Sequence, residues 1–119
     1  VQPVVTKEEL LNLIQEARAV EANDRIFDYI TTLAEATRTH PMVELGVSPR
    51  GALALCRMAK AHAFLAGRDF VVPEDVAAVF PDVCAHRLIL SAKARMMEEK
   101  AENILSEILK SVDMPVLKA

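Results

Sequence analysis

The stretch from Ser48 to Gly67 constrains this chain more than any other. Ser48 and Pro49 supply a hydroxyl cap followed by proline at the first helical position, the clearest helix start in the sequence. Gly67 supplies the stop. Between them Ala52, Leu55, Cys56, Ala59, Ala63 and Ala66 recur at helical spacing and give one face small side chains. Such a face lets another helix come close, so the helix over about 48–66 is expected at the centre of a bundle. Composition agrees: 52% of residues are apolar, yet Trp is absent and aromatics make up only 4%, so Ala, Leu and Val must build the core. Three glycines are too few for an all-β chain with a turn every ten residues or so. The expected architecture is all-α, a bundle of five or six helices forming a single domain over 1–119. A chain of this length buries roughly two-thirds of its unfolded surface, enough for one core.

Local signals place the remaining helices. Pro3 keeps Val1 to Val5 extended. Thr6 with Glu9 forms a capping box, followed by a helix to about Ala19 with Leu10, Leu13, Ile14 and Ala17 on its apolar side. Asn23 or Asp24 caps the next helix, which carries Ile26, Tyr29, Ile30, Leu33 and Ala34 inward and ends before His40-Pro41. Met42 to Val47 is a connector. Pro73, Glu74 and Asp75 open a short helix that Pro81 is expected to interrupt. A brief strand pairing of Arg87–Leu90 with Phe70–Val72 is expected between the last elements. The final helix is expected to run unbroken over about 92–112, docking through Ala94, Met97, Ala101, Ile104 and Ile108 until Pro115 stops the chain.

Charge and motif searches mostly exclude. Lys and Arg number 14 against 17 Asp and Glu, a net charge of −3 without long like-charged blocks, which argues against nucleic-acid binding. No run of eighteen apolar residues suits a membrane span and no signal segment opens the chain, so the cytoplasm is the default compartment. Val1 in place of Met is what a piece of a longer protein would show. Cys56 and Cys84 lie in apolar helical patterns and read as two buried free thiols. The sequence holds neither a P-loop nor a dinucleotide fingerprint. Cys84-x-His86 offers two potential ligands where zinc needs three or four, so no metal site is expected. No catalytic constellation is complete in this chain.

One residue breaks a local rule. Arg50 stands in the first turn of the Ser48–Pro49 helix, where the helix dipole disfavours a cation by up to about 1 kcal/mol unless an anion is near. The same helix end presents free amides, and Gly51 leaves the backbone open to close approach. Two readings stand on these residues alone: a phosphate met jointly by Arg50 and the helix start, or a surface arginine paired with an acid such as Glu44.

Taken in order, several blocks match a known pattern: Asp28-Tyr29-Ile30, Ala36 to Pro41, Leu45-Gly46-Val47-Ser48-Pro49-Arg50, Leu65 to Val71, Pro73-Glu74-Asp75-Val76 and His86-Arg87-Leu88. The chain resembles the C-terminal helical lid of MoxR-type AAA+ ATPases over about residues 1–90, with the final helix and Met114-Pro115-Val116 also fitting. The resemblance implies that Ser48, Pro49, Arg50 and Gly51 open the sensor-2 helix. Arg50 then reaches the terminal phosphate of ATP, held with Mg2+ on an α/β core domain that precedes the lid. It further implies contacts with that core domain and with neighbouring subunits of a ring, for which Arg38, Arg68 and Arg87 are candidates. A chaperone-like role, often with a von Willebrand factor A-type partner, follows from the same resemblance. Two departures are small: Gly51 stands where alanine is more usual, and Val72 replaces a hydroxyl cap before Pro73. Local readings of the other tempting residues are plainer. A helix C-terminus welcomes Arg38 in any case, Arg68 and Asp69 form a loop-ordering pair, and His86-Arg87 hold the last helices.

The competing reading is a histone-fold-like interaction or DNA-binding domain, based on a long Ala-rich helix, a short link and a Pro-Glu-Asp-Val helix start. Its acidic balance and the Gly46–Arg50 block argue against it. A stand-alone enzyme has no supporting constellation.

Overall fold

The computed structural model describes residues 5–116. The expected extended segment Val1 to Val5 therefore falls almost wholly outside the described residues. Six α-helices follow one another: α1 Lys7–Arg18, α2 Asp24–Thr39, α3 Pro49–Leu65, α4 Pro73–Cys84, α5 Ala92–Met96 and α6 Ala101–Ser111. A 3-10 turn, Ala85–Arg87, extends α4. Two short strands, β1 Val43–Leu45 and β2 Ile89–Leu90, pair antiparallel. The fold is an all-α bundle with one small pairing.

The caps read in the sequence are present. The Thr6 hydroxyl accepts from the Glu9 amide at 3.1 Å, the Asn23 side chain from Ile26 at 3.1 Å, and Ser48 Oγ from Gly51 at 3.1 Å. At the far end of α3, Gly67 takes φ +83°. Its amide donates to Phe64 O and the Arg68 amide to Ala63 O, both at 3.0 Å, a Schellman closure that satisfies two helix-end carbonyls.

The centre lies where α3 meets α4, the most extensive contact in the molecule. Ala59 and Ala63 are fully buried there, as the small-residue face requires, with Leu55, Val76 and Phe80 filling the space. From α2, Ile26, Tyr29, Ile30, Leu33 and Ala34 close the core, and α6 adds Ile104, Leu105 and Ile108. Helix α1 differs from the rest, for none of its twelve residues is buried. The molecule is a slab of 48 × 43 × 20 Å with a radius of gyration of 16.1 Å. A compact chain of this length would have about 13.5 Å.

Three expectations are corrected. Residues 87–90 do not pair with 70–72: β2 pairs instead with β1 from the 42–47 connector, and Phe70 bridges to Glu21. Glu21 gives its carbonyl to the Val71 amide at 2.8 Å and its amide to Asp69 O at 3.0 Å, so the 68–72 link is already engaged on that side. Pro81 does not end α4, which continues to Cys84. A helix-interior proline is disfavoured by about 3 kcal/mol. Here it is flanked by buried Val79, Phe80, Val83 and Cys84, whose packing outweighs that term. The last helix is two helices. The polar run Glu98-Glu99-Lys100 breaks it, with Glu98 at φ +57°, and the turn lets α5 bury Ala94 while α6 docks separately. Met97, expected on the docking stripe, is consequently exposed.

Candidate functional site

The site predicted from sequence begins at the loop that delivers α3, and α2 controls that loop. Thr37, fully buried, donates its hydroxyl to Ala34 O at 2.6 Å and accepts the Val47 amide at 2.9 Å. Arg38 donates its Nε–H to Val47 O at 2.8 Å. Both polar groups of Val47 are thereby fixed by adjacent residues of one helix. Gly46 makes the approach feasible, since a Cβ there would sit 2.7 Å from the Arg38 backbone. The next residue, Ser48, caps α3, and Arg50 follows in its first turn.

Arg50 is exposed at that helix end. The first turn of α3 contains no acidic residue. The ion pairs among the described residues are His40–Glu107, His62–Asp75 and Arg68–Asp75, so the pairing of Arg50 with Glu44 is absent among them. Of the amides at the helix start, Gly51 N is taken by the Ser48 hydroxyl and Ala52 N by Ser48 O, which leaves the Arg50 amide as the available donor.

Two more arginines lie beside this end. Arg38 is exposed and anchored through Nε alone, and Arg87 is half-buried with its Nε–H donated to Val83 O at 3.1 Å. The Arg87 Cδ lies 3.2 Å from where a Cβ on Gly51 would be, and Val47 Cγ1 lies at 2.8 Å. Gly51 is thus buried under Val47 and the Arg87 stem, and it is not the open backbone the sequence suggested. Its lack of a side chain makes room for Arg87. The structure brings Arg38, Arg50 and Arg87 to one helix end, and none of the three has a carboxylate within ion-pair distance among the described residues, a cationic locus suited to an anion.

Arg68 is placed elsewhere. Its guanidinium straddles the carboxylate of Asp75, Nη1 at 2.6 Å and Nη2 at 2.7 Å, and it does not pair with Asp69 as expected. Asp75 is fully buried and also accepts from the Val72 amide at 2.8 Å, with His62 Nδ1 at 2.6 Å. Burial by itself raises the Asp75 pKa, but the hydrogen bonds from Arg68, the Val72 amide and His62 outweigh it and hold the carboxyl below its ordinary value. From the third helical position Asp75 accepts the Val72 amide, the half of a capping box that needs no acceptor on the Val72 side chain. Sequence reasoning missed this cluster; the signal was the acid three residues after a non-polar cap.

Cys56 and Cys84 are free and buried, and burial pushes the Cys84 thiol up to about 11. No group of three or more metal-ligating side chains occurs among the described residues. No helix among them is long and apolar enough to cross a membrane.

A family model described as an AAA lid domain matches residues 35–108, which contain the whole of this arrangement. The chain belongs to the AAA lid family, in its MoxR-type form. It is 41% identical over 118 residues to an uncharacterized protein, YeaC, of Bacillus subtilis, covering 99% of this chain and 37% of that protein. It is 31% identical over 125 residues to the chaperone MoxR1 of Mycobacterium tuberculosis, covering 98% and 33%. The protein MoxR of Methylorubrum extorquens is 42% identical over 71 residues, 60% of this chain and 20% of that one. A crystal structure of an inferred ATPase from Cytophaga hutchinsonii superposes with a TM-score of 0.91 at 33% identity, covering 98% of this lid and 38% of that chain. The lid thus spans 33–38% of the length of the relatives it matches along its whole length. With the family fixed, the histone-like alternative is set aside.

Proposed function

We propose that this lid completes an ATP site held on an α/β core domain outside the chain, with Arg50 contacting the terminal phosphate. The observation that carries the reading is Arg50 itself, a cation in an acid-free first helical turn with no ion-pair partner among the described residues. A terminal phosphate supplies the missing anion. The donors at this helix end, a guanidinium and a backbone amide, suit phosphate oxygens but not a metal ion, so the ligands of Mg2+ belong to the core domain. When ATP is present, Arg50 ties the orientation of the lid to the γ-phosphate and stabilises charge developing as that group is transferred. Loss of the phosphate frees the lid, and that change is the signal passed to neighbouring subunits of a ring and to client proteins. The chaperone name of the mycobacterial relative and the ATPase assignment of the Cytophaga structure support this reading. A von Willebrand factor A-type protein is the partner class proposed from the resemblance.

The test is ATP hydrolysis by the intact parent protein, wild type beside Arg50→Ala. A charge-assisted hydrogen bond contributes about 1.5–3 kcal/mol, so hydrolysis should fall about 10- to 100-fold while the lid stays folded. Unchanged hydrolysis in a folded variant would make Arg50 a surface residue. The isolated lid should bind ATP weakly or not at all, because most phosphate contacts lie outside it; a tight stoichiometric complex by calorimetry would contradict this.

A further inference from the structure

The Arg50 side chain and one free amide are all that the first turn of α3 itself offers an anion, yet a terminal phosphate presents several strongly accepting oxygens. A second donor group reaches that turn from a distant part of the chain. Arg87 ends the 3-10 extension of α4, and its Cδ lies 3.2 Å from where a Cβ on Gly51 would stand, one residue after Arg50. The guanidinium begins one bond beyond Cδ, so its donors lie beside the turn that carries Arg50. Gly51 leaves the room this placement needs, since a methyl there would press on the Arg87 stem and, at 2.8 Å, on Val47.

How Arg87 is held matters as much as where it lies. Its Nε–H donates to Val83 O at 3.1 Å, which fixes the plane of the guanidinium. Capping that carbonyl occupies one N–H donor and leaves the rest open. The Nη groups make no hydrogen bond or ion pair among the described residues, and Asp82, which lines the same hollow, does not pair with them. Arg87 is half-buried whereas Arg38 and Arg50 are exposed, so its open donors are the ones that water serves least. The three cations, none with a carboxylate partner among the described residues, also repel one another across this helix end unless an anion joins them.

We propose that Arg87 is a second phosphate-contacting residue, closing with Arg50 on the same terminal phosphate from a different element. The assignment rests on the reading of Arg50 above and extends it. The nucleotide then holds the start of α3 and the end of α4 together, and loss of the terminal phosphate releases both. A nucleoside diphosphate leaves both arginines without that ligand, so Arg87 adds to the affinity for a triphosphate and not to the affinity for a diphosphate.

The test is calorimetric binding of ADP and of a non-hydrolysable ATP analogue to the intact parent protein, beside its rate of ATP hydrolysis. Arg87→Ala should lose about 10- to 100-fold in affinity for the analogue and a similar factor in kcat/KM, with ADP affinity unchanged. Arg87→Lys keeps the charge and a stem over Gly51, but an ammonium lacks the fork that holds Val83 O and a phosphate oxygen together. It should fold as wild type and fall between the two, and its result decides the matter where Arg87→Ala does not fold. A loss shared equally by ADP and the analogue overturns the proposal and leaves Arg87 a cap on α4. If Arg50→Ala lowers analogue affinity and the Arg87 variants do not, this proposal alone fails. If none of them lowers it, the phosphate reading of the helix end fails as well.

Discussion

Thr37 and Arg38 hold Val47 from two sides, one taking its amide and the other its carbonyl. The position of Arg50 three residues later is therefore set by α2 as much as by α3. Thr37→Val keeps the shape but leaves the buried Val47 amide without its acceptor, and is expected to lower stability by about 1–3 kcal/mol in urea unfolding. Gly46→Ala drives a methyl into the Arg38 backbone and should lower it by a similar amount, about 1–3 kcal/mol. At the other end of α3, the pH response belongs to Asp75. Its folded pKa lies below the ordinary 3.8, so its ionised form stabilises the fold above that value. The contribution is lost as pH falls below about 3.8 and through the folded pKa. Acid unfolding followed by circular dichroism should show this loss in wild type and not in Asp75→Asn. That variant is itself less stable at neutral pH by about 3 kcal/mol, because Arg68 and His62 lose their shared partner.

At the scale of elements, periodicity located the first four helices but read the last two as one, because interruptions depend on the neighbours. Pro81 is accommodated because buried side chains on both sides of it pack against α3 and α6. Glu98 breaks the last helix because α5 and α6 bury their apolar residues on different parts of the body. A non-glycine residue at φ +57° is strained by roughly 1–2 kcal/mol. Part of that returns with Glu98→Gly, which should raise stability by about 0.5–1 kcal/mol in thermal or urea unfolding. A substitution such as Leu55→Ala, on the fully buried face of α3, should cost about 2–5 kcal/mol and mark the true centre of the bundle.

Across the whole molecule, the two thiols report on core integrity. Cys84 is fully buried with its pKa pushed up to about 11, so a thiol reagent at neutral pH should modify it only as the lid unfolds. Cys56 is 8% exposed and should react first. Rapid modification of both in the folded chain would contradict the packing described. The flat shape has one consequence at this scale: α1 adds surface without adding core, so truncating its apolar stripe should change the melting temperature far less than changes in α3 or α4.

The sequence by itself determined the helices, their caps and the singular placement of Arg50, because capping, proline and periodicity act over a few residues. Ser48-Pro49 and the alanine face of α3 are local chemistry, legible without a partner. Tertiary structure alone decided which strand β2 joins, that Arg68 serves Asp75 and not its neighbour Asp69, and that the room over Gly51 belongs to Arg87. Each of these joins residues whose separation in the chain carries no periodic signal. Their meeting is fixed by how the helices pack, and packing is where local rules stop.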